Sequence, residues 1–102
     1  MKPFLNWAEL GPGQARYVYV YGVALHSAGR REEALKILER GLASHPADRD
    51  ILFALAAFTR DRGDLASALD YAQRLARLAP DDRKIASFVE ELQRQTRSQG
   101  AK

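Results

Sequence analysis

Pro12, Pro46 and Pro80 are spaced 34 residues apart. The same step relates Gly29 to Gly63, Ala34 to Ala68 and Leu35 to Leu69. It also relates Leu10, Ser44 and Leu78, with Ser44 breaking the apolar pattern. Self-similarity at a fixed period means a stack of like units, each burying its apolar face on the next. The residue types say what each unit is. Gly29 and Gly63 can take the positive φ that ends a helix. Pro46 and Pro80 cannot continue a helix that precedes them. Asp48 and Asp82 then stand where an N-cap is wanted. Each unit is therefore an antiparallel helix pair, and helices are predicted over 15–28, 31–44, 49–62, 65–78 and 83–97.

One stretch resists this reading. In "RYVYVYGVAL", residues 16–25, aromatic and β-branched residues alternate as they do in a strand. The 34-residue register decides for helix. It sets Val18 level with Leu52, Tyr21 with Leu55 and Gly22 with Ala56, a stripe at helical spacing expected to be buried, with Tyr17 and Val20 filling its flanks. Tyr19 falls on a different face, level with Phe53. Gly22, Ala56, Ala34 and Ala68 are small where paired helices must approach closely. The units differ at Leu38 and Gly41 against Ala72 and Leu75. Large-then-small has become small-then-large, which reads as volume compensation on one buried face.

The period and the placement of small residues and proline resemble the tetratricopeptide repeat. The first unit carries Val18, Tyr21, Gly22, Leu25, Ala34, Leu38 and Pro46 at the family's positions. The second carries Leu52, Leu55, Ala56, Thr59, Ala68, Ala72 and Pro80, keeping the small residues and losing the aromatics. The resemblance covers residues 15–82 and implies an all-α fold. That fold is an α-solenoid of antiparallel helix pairs winding as a right-handed superhelix. Repeat 1 is expected over 15–48 and repeat 2 over 49–82. Residues 83–97 then form a C-terminal capping helix, with Ile85, Phe88, Val89 and Leu92 inward, and 98–102 a disordered tail. Residues 1–14, with Phe4, Leu5, Trp7, Ala8 and Leu10, read as the remnant of a preceding repeat or as an N-terminal cap. The chain is expected to be the C-terminal part of a longer bacterial repeat protein.

Function is constrained mainly by what is missing. There is no cysteine, so disulfides, thiolate metal sites and a cysteine nucleophile are excluded. His26 and His45 are the only histidines, and neither has a second at helical ligand spacing. Asp48, Asp50, Asp81 and Asp82 sit at helix starts without calcium-loop spacing. "GPGQ" at 11–14 lacks the further glycine and the lysine of a phosphate-binding loop and reads as a turn. No enzyme activity and no cofactor are expected. No apolar run is long enough to span a membrane. Residues 1–13 do not read as a signal peptide, and the compartment, cytoplasmic or periplasmic, stays open. The formal charge of +3 resides in residues 83–102. That basic end is the one weak pointer to RNA or an anionic surface, and nucleic acid is otherwise not expected. Arg30, Arg31, Arg40, Arg74 and Arg77 are interleaved with acids such as Glu32 and Asp70, with Glu32–Lys36 and Asp70–Arg74 at i, i+4, as on a solvated face.

The resemblance implies a concave groove lined by the first helix of each unit. Carried over by position, its residues are Arg16, Tyr19, Val23, His26 and Ser27, then Asp50, Phe53, Ala57, Arg60 and Asp61, then Lys84, Ser87 and Glu91. Tyr19 and Phe53 would provide an aromatic floor, with Arg16, Arg60 and Lys84 around it. Such a groove suits a peptide with apolar and acidic side chains. One subset of the family clamps acidic chaperone tails with lysines and asparagines. At those positions this chain has Tyr19, Val23, Ala54, Lys84 and Phe88, and only Lys84 fits. The expected role is a protein-interaction module for a peptide or partner protein. The alternatives are a structural or homodimerising repeat with no groove ligand, and a basic adaptor acting through the last helix.

Overall fold

The structure, a computed structural model, describes residues 12–100, with side chains described for 15–99. Among these residues the chain forms α1 (Pro12–Ser27), α2 (Arg31–Ser44), α3 (Arg49–Asp61), α4 (Leu65–Leu78) and α5 (Arg83–Gly100), and no strand. Phe4, Leu5, Trp7, Ala8 and Leu10 lie outside the described residues, as do Ala101 and Lys102. Each helix packs on the next, and α1 also packs on α3. That pattern is a solenoid of helix pairs.

The helix ends follow from the residues the register singled out. Gly29 has φ +86° and Gly63 φ +89°. After α1, the Gly29 N–H bonds His26 O and the Arg30 N–H bonds Leu25 O at 2.9 Å. After α3, Asp64 N–H bonds Thr59 O in the same way. These six-to-one bonds satisfy the last carbonyls of each helix. Asp48 caps α3, its Oδ1 accepting from Ile51 N–H at 2.9 Å. Asp82 caps α5 by accepting from the Lys84 and Ile85 N–H groups. Asp64 caps α4 through Ser67 N–H at 3.1 Å. At the matching position before α2 stands Arg30, with almost the same backbone conformation and no side-chain cap.

Two ends depart from the expected limits. Pro12, Gly13 and Gln14 are helical rather than part of a turn. A proline is tolerated in a first helical turn, where its missing N–H would have had no intrahelical partner, so Pro12 opens α1 instead of only closing what precedes it. At the other end α5 runs to Gly100, so residues 98–100, expected in a disordered tail, are helical. No glycine or proline interrupts the stretch before Gly100. Its outer turns are tied by Gln95 and Arg94 to Glu91 and by Thr96 Oγ1 to Leu92 O.

Two clusters make the core. The first joins Val18, Leu35, Leu38, Leu42, Ile51, Leu52, Leu55 and Leu75; the second joins Ala56, Leu65, Ala68, Ala72 and Leu92. Tyr71 packs against both. The compensation seen in the sequence has a partner on the facing helix. A Cβ on Gly22 would lie 2.7 Å from both Cγ and Cδ2 of Leu38. A Cβ on Gly41 would lie 2.5 Å from Cγ1 of Val18 and 3.3 Å from Cδ1 of Ile51. Large Leu38 thus nests on Gly22, whereas one repeat later both positions are alanine, Ala56 and Ala72, and both are fully buried. Thr59 replaces the apolar Leu25 of the first unit and is buried, but its hydroxyl donates to Leu55 O at 2.7 Å. The group therefore enters the core without an unmet hydrogen bond.

Candidate functional site

The surface positions assigned to a groove come from α1, α3 and α5. α1 packs directly on α3, and α3 reaches α5 through Phe53 and Phe88, whose rings lie 5.4 Å apart and tilted by 50°. Phe53 remains 47% exposed. Arg60, two turns further along α3, lays its guanidinium 5.5 Å from the centre of the Phe88 ring and pairs with Asp61 at 3.3 Å. Beside this cluster is a hollow of about 260 Å³ lined by Arg49, Asp50, Phe53, Leu75, Asp82 and Ile85. An exposed Phe53 resting on a half-buried Phe88 under a cation, next to a hollow carrying both charge signs, can seat one apolar side chain and hydrogen-bond its neighbours.

The other assigned residues are distributed around this cluster. Arg16, Asp50 and Lys84 are exposed. Val23, Ala57 and Arg60 are half-buried. Tyr19 is half-buried and packs against the first core cluster, so it belongs partly to the interior. His26 stacks flat on Phe58, with ring centres 3.8 Å apart and planes within 6°. This contact joins α1 to α3 and occupies the His26 ring. Register counting missed the His26–Phe58 stack and the part played by Phe88, because it aligned Ser87 rather than Phe88 with the groove. The signal available was the apolar stripe Ile85, Phe88, Val89 and Leu92, of which only Leu92 is fully buried.

Electrostatics here are mild. The Gln95 amide and the Arg94 guanidinium donate to Glu91 and hold its carboxyl below the usual range. The carboxylate of Glu32 pairs with Arg62 at 3.0 Å, tying the start of α2 to the end of α3, whereas Asp70–Arg74 forms within α4 at 3.1 Å. No group of three or more possible metal ligands occurs among the described residues. No helix among them is long and apolar enough to cross a membrane.

Residues 15–58 match the family model of the tetratricopeptide repeat. Over that span the chain is similar to the tetratricopeptide repeat. The matched span runs from α1 through most of α3. It therefore contains the Gly22–Leu38 contact, the Gly29 helix stop and the Asp48 cap. Tetratricopeptide repeats generally mediate protein–protein interactions. The family is typically non-enzymatic.

Proposed function

We propose that this protein binds a peptide segment of a partner across the face formed by α1, α3 and α5. The reading takes residues 15–48 and 49–82 as two repeats and α5 as the helix that closes the second. The observation that carries it is Phe53, an aromatic ring nearly half exposed in a chain whose other α3 apolar residues are largely buried. Phe53 lies on Phe88 beside Arg60 and opens onto the hollow between α3 and α5. Exposed aromatic and arginine side chains are the residue types that most often anchor partners. An aromatic or branched apolar side chain on the peptide would rest on Phe53 and Phe88. Adjacent carboxylates would face Arg60, and backbone N–H groups would face Asp50.

The test is a binding screen of the full chain against an array of short peptides with an apolar anchor flanked by acidic residues, followed by fluorescence anisotropy on the hits. Phe53→Ala and Arg60→Ala should each weaken the best peptide at least ten-fold. Their helicity should be unchanged, since both side chains sit at the surface. Hits that keep full affinity for both variants would overturn this surface as the binding face. Lys84→Ala is the milder control, because Lys84 is exposed at the edge of the face.

A further inference from the structure

On α1, Tyr17, Val20, Tyr21 and Ala24 stand at i, i+3, i+4 and i+7, the spacing of one helix face. All four are exposed, the first three by 55%, 52% and 43%. The Tyr17 and Tyr21 rings stack with centres 6.3 Å apart. One repeat later the first three positions are Ile51, Ala54 and Leu55, and all three are buried. There α2 packs, and its Leu35, Leu38 and Leu42 share a core cluster with them. A face that receives a helix on α3 is thus without a cover on α1 among the described residues. Beside it, between α1 and α2, lies a hollow of about 300 Å³ lined by Tyr21, Leu25, Glu33, Lys36, Ile37 and Arg40.

The charges on the rim decide what fits there. Lys36 and Arg40 are neighbours on α2, both exposed, and neither forms an ion pair among the described residues. The 34-residue step takes them to Asp70 and Arg74, which neutralise one another at 3.1 Å. The acids of α2 are engaged elsewhere. Glu32 pairs with Arg62, Glu33 with Arg30, and Glu39 acts on Tyr71 of α4. α1 carries no acid. We propose that the outer face of α1, together with Lys36 and Arg40, docks an amphipathic helix of a partner protein that carries Asp or Glu along one flank of its apolar seam. The seam lies along Tyr17, Val20 and Tyr21, as α2 lies along α3. One apolar side chain enters the hollow beside Leu25 and Ile37, and the flanking carboxylates meet Lys36 and Arg40. A second copy of this chain is the poorer occupant, because the face it would bring carries Lys36 and Arg40 again and no unengaged acid. A bilayer is the poorer occupant too, since a flat surface does not fill a hollow between two helices.

The probe is a fluorescein-labelled helical peptide with leucine at i, i+3 and i+7 and glutamate on one flank, titrated into the full chain and read by anisotropy. A copy with lysine in place of glutamate is the charge control. The acidic peptide should bind, and the basic copy about ten-fold more weakly. Val20→Glu should weaken the acidic peptide by about ten-fold or more. The Lys36→Glu/Arg40→Glu double variant should do the same and should now prefer the basic copy. All three positions are exposed, so circular dichroism should keep its helical signal. Phe53→Ala should leave the affinity unchanged, which separates this surface from the face of α1, α3 and α5. An acidic peptide that does not bind, or that binds Val20→Glu or the double variant as tightly as the parent, would overturn the proposal. So would binding lost in Phe53→Ala and kept in Val20→Glu, which would assign the peptide to the other face. A dimer mass by light scattering that reverts to monomer in Val20→Glu would assign the stripe to a second copy and overturn it as well. Retention on phosphatidylserine vesicles that Val20→Glu abolishes would overturn it in favour of a membrane surface.

Discussion

Gly22 and Leu38 should show a reversal of sign when they are changed singly and together. Replacing Gly22 by alanine in the native chain has two opposed effects. Alanine favours a helix interior over glycine by about 1 kcal/mol. Against this, the new Cβ would stand 2.7 Å from Cγ and Cδ2 of Leu38. Cγ is the branch point of that side chain, so it cannot swing away as a terminal methyl could. Leu38 is fully buried, and forcing it off its rotamer costs about 1–3 kcal/mol. Gly22→Ala should therefore be neutral to destabilising by about 2 kcal/mol. Leu38→Ala should cost about 2–5 kcal/mol through the cavity it leaves. In the Leu38→Ala background the obstruction is gone. Gly22→Ala then gains its helix propensity and fills part of the cavity, and should stabilise by about 1 kcal/mol. The double variant recreates the Ala56–Ala72 pair already present one repeat later. Urea unfolding followed by circular dichroism gives all four corners of the cycle, with a coupling of about 1–3 kcal/mol expected. Additive effects within about 0.5 kcal/mol would refute the close contact between these two residues.

Arg30→Ser should stabilise the chain by about 0.5–1 kcal/mol. The Arg30 backbone already matches that of the capping Asp64, a serine there would form a capping box with Glu33, and only an exposed Arg30–Glu33 pair is lost; a lower melting temperature would count against it. Leu75→Ala, at a position 1% exposed in the first core cluster, should cost about 2–5 kcal/mol in a denaturant melt, and a loss under about 1 kcal/mol would disprove its role there. Tyr71 should make the fold sensitive to alkali. Burial, aided by Glu39 on α2, raises its pKa above 10.0, and Arg74 opposes the shift only in part. A raised folded-state value means the neutral phenol is favoured on folding. Its contribution is therefore present below pH 10 and lost as pH rises through the folded value. Tyr71→Phe should flatten the fall in stability above pH 10 relative to the parent, as read by urea midpoints at several pH values.

Much of the fold was legible along the chain because its governing constraints are local and repeated. A glycine that must take positive φ, a proline after a helix and an aspartate before one act within a few residues of themselves. Gly29, Gly63, Asp48 and Asp82 accordingly did what their positions implied. The 34-residue step also turned the strand-like alternation of residues 16–25 into a helix. Of the stripe expected to be buried, however, Val18 and Gly22 are inside while Tyr21, with the flanking Tyr17 and Val20, is exposed, because α2 and α3 cover only one side of α1. The helix ends at Pro12 and Gly100 were less legible, because a first-turn proline and a polar helical extension are both permitted, and neither is required, by their residue types. The candidate site was legible only as a face. Register placed Tyr19 and Phe53 level with one another, yet their exposures differ, since Tyr19 leans on the core while Phe53 rests on Phe88.

What the sequence by itself determined is the unit and its punctuation: helix pairs of one length, capped and stopped by residues whose effects are intrinsic to the backbone. What only the tertiary structure decided is which side chains meet across helices. Leu38 against Gly22, His26 flat on Phe58, Glu32 on Arg62 and Phe53 on Phe88 all join residues from different helices. A period states that two positions are equivalent, but contact depends on the distance and rotation between packed helices. Those are set by the volumes on both sides of the interface at once. The apolar stretch "YVYVY" therefore specified a helix, while its burial at Val18 and exposure at Tyr17 and Val20 were settled by where α2 and α3 lie around it.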